Sequence, residues 1–125
     1  MKNALAVGFG GFFGCIARYL TGVLVARFFD ASAFPYATLI VNIVGCLLIG
    51  LLGGLAHTGE LTSPAMQLFL IVGLLGGFTT YSAFGYQTLT LAHEGRIFFA
   101  LLNVSAHLVF GLGAVWLGEL IAHKM

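Results

Sequence analysis

The run Gly76-Gly77-Phe78-Thr79-Thr80-Tyr81-Ser82-Ala83-Phe84 holds the most chemistry in this chain. Two glycines and two β-branched threonines weaken a helix, yet long apolar stretches flank them. A helix break inside a membrane frees backbone carbonyls that no water can satisfy, so it persists only when buried in protein or lining a cavity. Carbonyls at such breaks commonly coordinate a cation in transporters. Past the break, Tyr81 and Phe84 are three apart and share a helix face. Their ring edges carry the positive side of the aromatic quadrupole, so an anion can rest there without meeting a full charge. Ordinary packing of core aromatics explains the same spacing.

Three more polar positions lie within apolar runs. Arg18 shares a face with Gly14 and Gly22, each four residues away. An Arg at a helix centre costs about 2.5–3.5 kcal/mol on insertion scales. It therefore lines a water-filled, anion-attracting vestibule or snorkels to an interface. Its distance from the nearer end of the run, at Ala26, favours the vestibule. Thr38, Asn42, Cys46 and Gly50 form a polar-to-small track at the same spacing, and so do Asn103, His107 and Gly111. The Asn42 amide offers two N–H donors to a dehydrated anion, or a plain interhelical hydrogen bond. His107 can donate or accept, and its charge can change near neutral pH.

Composition sets the class. Of 125 residues, 60% are hydrophobic and 7% charged, against about 25% charged in soluble domains. Mean hydropathy is +1.07. Most of the surface must face lipid or another apolar chain. A net charge of +1 gives no electrostatic basis for binding nucleic acid. Cys15 and Cys46 sit in apolar runs as small packing residues, and the four histidines show no metal-ligand spacing. No nucleophile–base pair or clustered acids can be named, so the chain does not read as an enzyme.

The elements that must position these residues are four apolar stretches, about 4–26, 34–56, 65–92 and 97–122. Each reaches the ~20 residues that cross a ~30 Å hydrocarbon core. All are too long and continuous for barrel strands. The fold class is an all-α integral membrane protein, one domain over 1–125, with four transmembrane helices and the third broken mid-membrane. Ser63 is a possible N-cap before Pro64 at the first helical position. Lys2 and Ala31-Ser32-Ala33 resemble parts of a cleaved leader, but the apolar run between them exceeds the usual length and Arg18 interrupts it. It reads as a span. Short loops make consecutive helices antiparallel neighbours.

Lys and Arg near span ends set orientation. Lys2 and Lys124 fall on one face, Arg27 and Arg96 on the other. This balance gives insertion no preference, so two oppositely oriented copies can pair. Gly10/Gly14, Gly73/Gly77 and Ala114/Gly118 are small-residue pairs that let helices approach closely in lipid, within one chain or between two.

At these residues the chain resembles the Fluc (CrcB) family of fluoride channels. The likeness spans nearly the whole chain: Gly10-Gly11, Gly14 and Arg18-Tyr19; Pro35, Thr38-Leu39, Asn42 and Gly45; Gly76-Gly77, Thr79-Thr80, Ser82 and Phe84; and Ala100 to Val104. The third-helix motif is the most specific. The resemblance implies an inverted homodimer in the bacterial inner membrane, exporting fluoride passively. It implies a central structural sodium ion on the Gly76 and Thr79 carbonyls of both subunits. It places the family's paired phenylalanines on Tyr81 and Phe84, its pore asparagine on Asn42, and its polar track on Thr80, Ser82, Asn103 and His107. Three positions depart from the family. Tyr81 replaces a phenylalanine, Gln87 a frequent glutamate, and Asn103 and His107 a tyrosine and a serine. Two other readings compete. A non-conducting half of a heterodimeric channel would account for Tyr81. A proton-coupled small multidrug exporter needs a membrane-embedded carboxylate, but Asp30, Glu60 and Glu94 fall in loops and Glu119 near a span end.

Overall fold

The computed structural model describes residues 1–30, 32–61 and 63–125. Ala31, part of the leader-like triplet, lies outside them. The described residues are helical and form no strand. Helix α1 spans Lys2–Val25 and α2 spans Tyr36–His57. The third span is composite: α3 (Pro64–Gln67), a π-helical segment Leu68–Leu75, α4 (Gly76–Phe78) and α5 (Tyr81–His93). Helix α6 spans Ile97–Ala122. Boundaries of the first three spans differ from the sequence expectation by one to two residues, as fraying ends do, and those of the fourth coincide with it. Four stretches, Lys2–Val25, Tyr36–His57, Pro64–His93 and Ile97–Ala122, are long and apolar enough to cross a membrane.

Local chemistry sets the ends. Ser63 accepts a hydrogen bond from the Met66 N–H at 3.4 Å, with Pro64 following at the first helical position. Gly95 adopts φ 74° past α5, and the Arg96 N–H reaches back to the Leu91 carbonyl at 2.9 Å. A side chain on Gly95 would strain that turn.

Helices α5 and α6 pack as sequence neighbours, but the main pairs do not follow sequence order. Helix α2 packs chiefly against α6, and α1 against the π-helical segment and α4. Contact between α1 and α2 is slight. Glycine seams override the connectivity. A Cβ on Gly10 or Gly14 would collide with the backbone of Phe69 or Leu74, and one on Gly73 or Gly77 with that of Val7 or Gly11. Across the other seam, a Cβ on Gly50 would meet the Val115 backbone and one on Gly118 the Leu47 backbone. These pairs hold helices of one chain together. Ala114 is not their α6 partner at Gly50; Val115 is.

The first and third loops are tied to each other. The Arg96 guanidinium donates to the carbonyls of Ser32, at 2.9 Å, and Ala33. It also lies 3.7 Å from Glu94 and 4.7 Å above the Phe99 ring. In the first loop, the Ser32 N–H donates to Asp30 at 2.9 Å and holds its carboxyl below the ordinary value. Large apolar side chains cover the outside, among them Phe9, Phe12, Phe13, Phe98, Phe110 and Trp116. A surface this apolar suits lipid or another chain.

Candidate functional site

The third span loses helical geometry at two residues. Thr79 has φ −78°, ψ 160° and Thr80 φ −151°, ψ 112°, both extended. Asn42 of α2 holds them there. Its Oδ1 accepts the Thr80 N–H at 2.9 Å, and its Nδ2 donates to the Thr80 carbonyl at 3.1 Å. One amide thus pairs with a backbone residue as a neighbouring strand would. The Thr80 hydroxyl then accepts the Ala83 N–H at 3.3 Å and caps α5.

This diverts donors from two carbonyls. In a continuous helix Gly76 would receive the Thr80 N–H and Thr79 the Ala83 N–H. Asn42 takes the first and the Thr80 hydroxyl the second. The Thr79 carbonyl accepts an Arg18 Nη1 hydrogen instead, at 3.3 Å, with a lone pair to spare. Among the described residues no three His, Cys, Asp or Glu side chains gather to hold a metal. Two carbonyls without helical donors are the oxygen ligands a hard cation takes.

Two open cavities flank the break. One, ≈ 400 Å³, is lined by Arg18, Thr38, Thr80 and Ser82. Arg18 is half-buried and also points Nη2 at Cys15 Sγ, 3.6 Å away. The other, ≈ 390 Å³, brings together Asn42, Gly76, Thr79, Thr80, Tyr81, Phe84 and His107. The Tyr81 and Phe84 rings lie 5.6 Å apart, and Phe84 is 4.4 Å from the His107 ring. Thr80 borders both cavities. Asn103 lines neither: it is fully buried and donates to Thr88 Oγ1 at 2.8 Å.

Hydrogens decide what the cavities offer. The Thr79 hydroxyl donates to its own helix, at the Leu75 carbonyl, 2.9 Å away. Thr88 does the same to Phe84 at 2.8 Å. Thr80 and Ser82 hydroxyls bond to each other at 3.3 Å. That bond uses one hydrogen and leaves the other. Asn42 keeps one N–H beyond its clamp. The Tyr81 hydroxyl is exposed. These are neutral donors beside two aromatic rings, with one guanidinium behind them.

Residues 5–119 match the family described as CrcB-like protein, Camphor Resistance (CrcB). The chain belongs to the CrcB family. Three relatives carry the name fluoride-specific ion channel FluC. That of Flavobacterium psychrophilum is 40% identical over all of both chains. That of Methylobacillus flagellatus is 44% identical, covering all of this chain and 98% of its own. That of Chlorobaculum tepidum is 43% identical, covering 98% and 95%. With its four apolar spans, this CrcB chain is a multi-pass protein of the bacterial membrane.

Some features of this CrcB chain escape a sequence reading. The clamp of Asn42 on Thr80 is one, because amide spacing does not tell which backbone group lies opposite. Thr88, which holds Asn103, is another. Its only signal is its place four residues after Phe84. Gln87 lines a third cavity, ≈ 470 Å³, near Glu94 and Arg96, and its buried Oε1 has no partner among the described residues.

Proposed function

We propose that this chain conducts fluoride passively across the bacterial inner membrane, working as a pair of oppositely oriented copies. The observation that carries the reading is full-length identity to relatives named for that conduction. The site chemistry supports it. Fluoride enters the cavity bordered by Arg18 and Thr38, exchanges water for the spare hydrogens of Thr80, Ser82 and Asn42, and passes the edges of Tyr81 and Phe84. Asn103 stands behind the pathway, fully buried and bonded to Thr88. A conducting site must bind well enough to admit an ion and weakly enough to release it. Neutral donors suit that compromise.

The Gly76 and Thr79 carbonyls, two from each copy, would hold a sodium ion. When bound, it would neutralise carbonyls that the extended residues Thr79 and Thr80 leave without helical donors. Arg18 shares the Thr79 oxygen.

Export of accumulated fluoride predicts a growth phenotype. Cells lacking fluoride export should recover growth in fluoride medium when this chain is expressed. Growth no better than with an empty vector would contradict the reading. The paired arrangement has its own test. Two lysines added beside Lys2 and Lys124 should bias insertion to one orientation. Activity should then drop until an oppositely biased copy is co-expressed. Full activity from uniformly oriented chains would refute the inverted pair.

A further inference from the structure

The α6 face carries a proton-accepting atom that the pathway leaves without a partner. His107 Nδ1 lies 2.9 Å from the Asn103 carbonyl oxygen. A carbonyl only accepts, so Nδ1 holds the hydrogen and donates. The other nitrogen of a neutral ring is then bare. Nε2 is that nitrogen, and it is buried without a hydrogen-bond partner among the described residues.

The same accounting fixes Asn103. Thr88 spends its only hydroxyl hydrogen on the Phe84 carbonyl, so it can only accept from Asn103 Nδ2. Asn103 Oδ1 therefore points elsewhere, and it too is buried and unpartnered among the described residues. With His107 neutral, the one ring on α6 that lines the cavity brings an orphan acceptor where a bare anion needs a donor.

The groups facing His107 leave its charge to be decided by what enters. The cavity it lines is bounded by α2, the π-helical segment, the break, α5 and α6 itself. The other titratable side chains on that lining are the Cys46 thiol of α2 and the Tyr81 phenol of α5. The π-helical segment contributes Ile71 and Leu75, and α6 adds Leu108 and Gly111. Among the described residues, no carboxylate or basic side chain other than His107 lines it. The Phe84 ring lies 4.4 Å from the imidazole, its plane tilted by 43°. A face of an aromatic ring favours a cation within reach.

We propose that His107 Nε2 is a proton-binding site within the ion pathway, and that its protonation sets the rate of fluoride conduction. This rests on the fluoride reading above. A proton taken from solution turns Nε2 from an acceptor into a donor and adds one positive charge beside Phe84. The imidazolium then attracts the passing anion by its charge; the neutral ring cannot. By linkage the anion favours the proton as much as the proton favours the anion. The stabilising form is the protonated one, so conduction is greatest below the histidine range and is lost as pH rises through it.

The test is electrical, because dissolved hydrogen fluoride crosses lipid without carrying current. Fluoride currents through the reconstituted full chain are recorded at symmetrical pH 5.5 and 7.5, values about one unit either side of an ordinary histidine. The current should fall by at least about tenfold from the lower to the higher pH, following the protonated fraction. In His107→Gln whatever current is left should no longer depend on pH. A flat wild-type profile, a current that rises with pH, or a slope retained in His107→Gln would each overturn the proposal. The wild-type profile alone decides the matter if the variant does not fold. No current at either pH would instead overturn the fluoride reading beneath it.

Discussion

Replacing Asn42 with leucine should reduce fluoride efflux to the rate of empty vesicles and destabilise the protein by about 2–4 kcal/mol. Leucine has nearly the same size but neither donates nor accepts. The Thr80 N–H and carbonyl, both bonded to Asn42 in the native chain, would lose their partners at once. A buried polar group left unsatisfied costs about 1–3 kcal/mol, and two are stranded here. Both bonds are part-buried, so water in the flanking cavities replaces them only in part. The third span should then rewind or shift at Thr79 and Thr80. That would remove the carbonyls and hydroxyls that face the cavities. Melting in detergent measures the stability change, and a fluoride electrode the efflux. Native melting together with native efflux would show that the clamp carries nothing.

Phe84→Ile separates conduction from folding. The substitution keeps an apolar side chain of moderate size, and such swaps usually cost under about 1.5 kcal/mol. It removes a ring that stands 5.6 Å from Tyr81 and 4.4 Å from His107. An isoleucine has no positive ring edge to offer an anion. Efflux should vanish while elution and melting stay near native. Undiminished efflux would take the ring edges out of the pathway and leave only the polar donors.

The contrast between these two positions explains what the sequence could reveal. Length and hydropathy made the four spans legible, because covering ~30 Å of hydrocarbon demands it. Capping chemistry made Ser63 and Pro64 legible. The break was suggested by Gly76, Gly77, Thr79 and Thr80, whose propensities weaken a helix locally. The π-helical widening over Leu68–Leu75 was not, since its sequence is a plain apolar run. Helix pairing was misjudged for a related reason. Loop length suggested sequential neighbours, but close approach at Gly14, Gly73, Gly50 and Gly118 chose α1 with the third span and α2 with α6. At the site, spacing paired Thr38 with Asn42 and Asn103 with His107, pairs that the two cavities divide. It could not say which hydrogens were already spent. Asn42 is chiefly a backbone clamp, and Asn103 is turned toward Thr88. Hydrogen-bond commitment depends on what lies across a helix interface, and no pattern along one strand of sequence contains it.

The central claim is that copies of this one polypeptide, with no other protein, provide donors enough to strip and carry a small halide. Purified chain in liposomes loaded with fluoride and chloride decides it. Fluoride should leave the vesicles rapidly once a cation ionophore balances charge, while chloride stays inside. Fluoride retained as in protein-free liposomes, or chloride escaping as fast, would contradict the account.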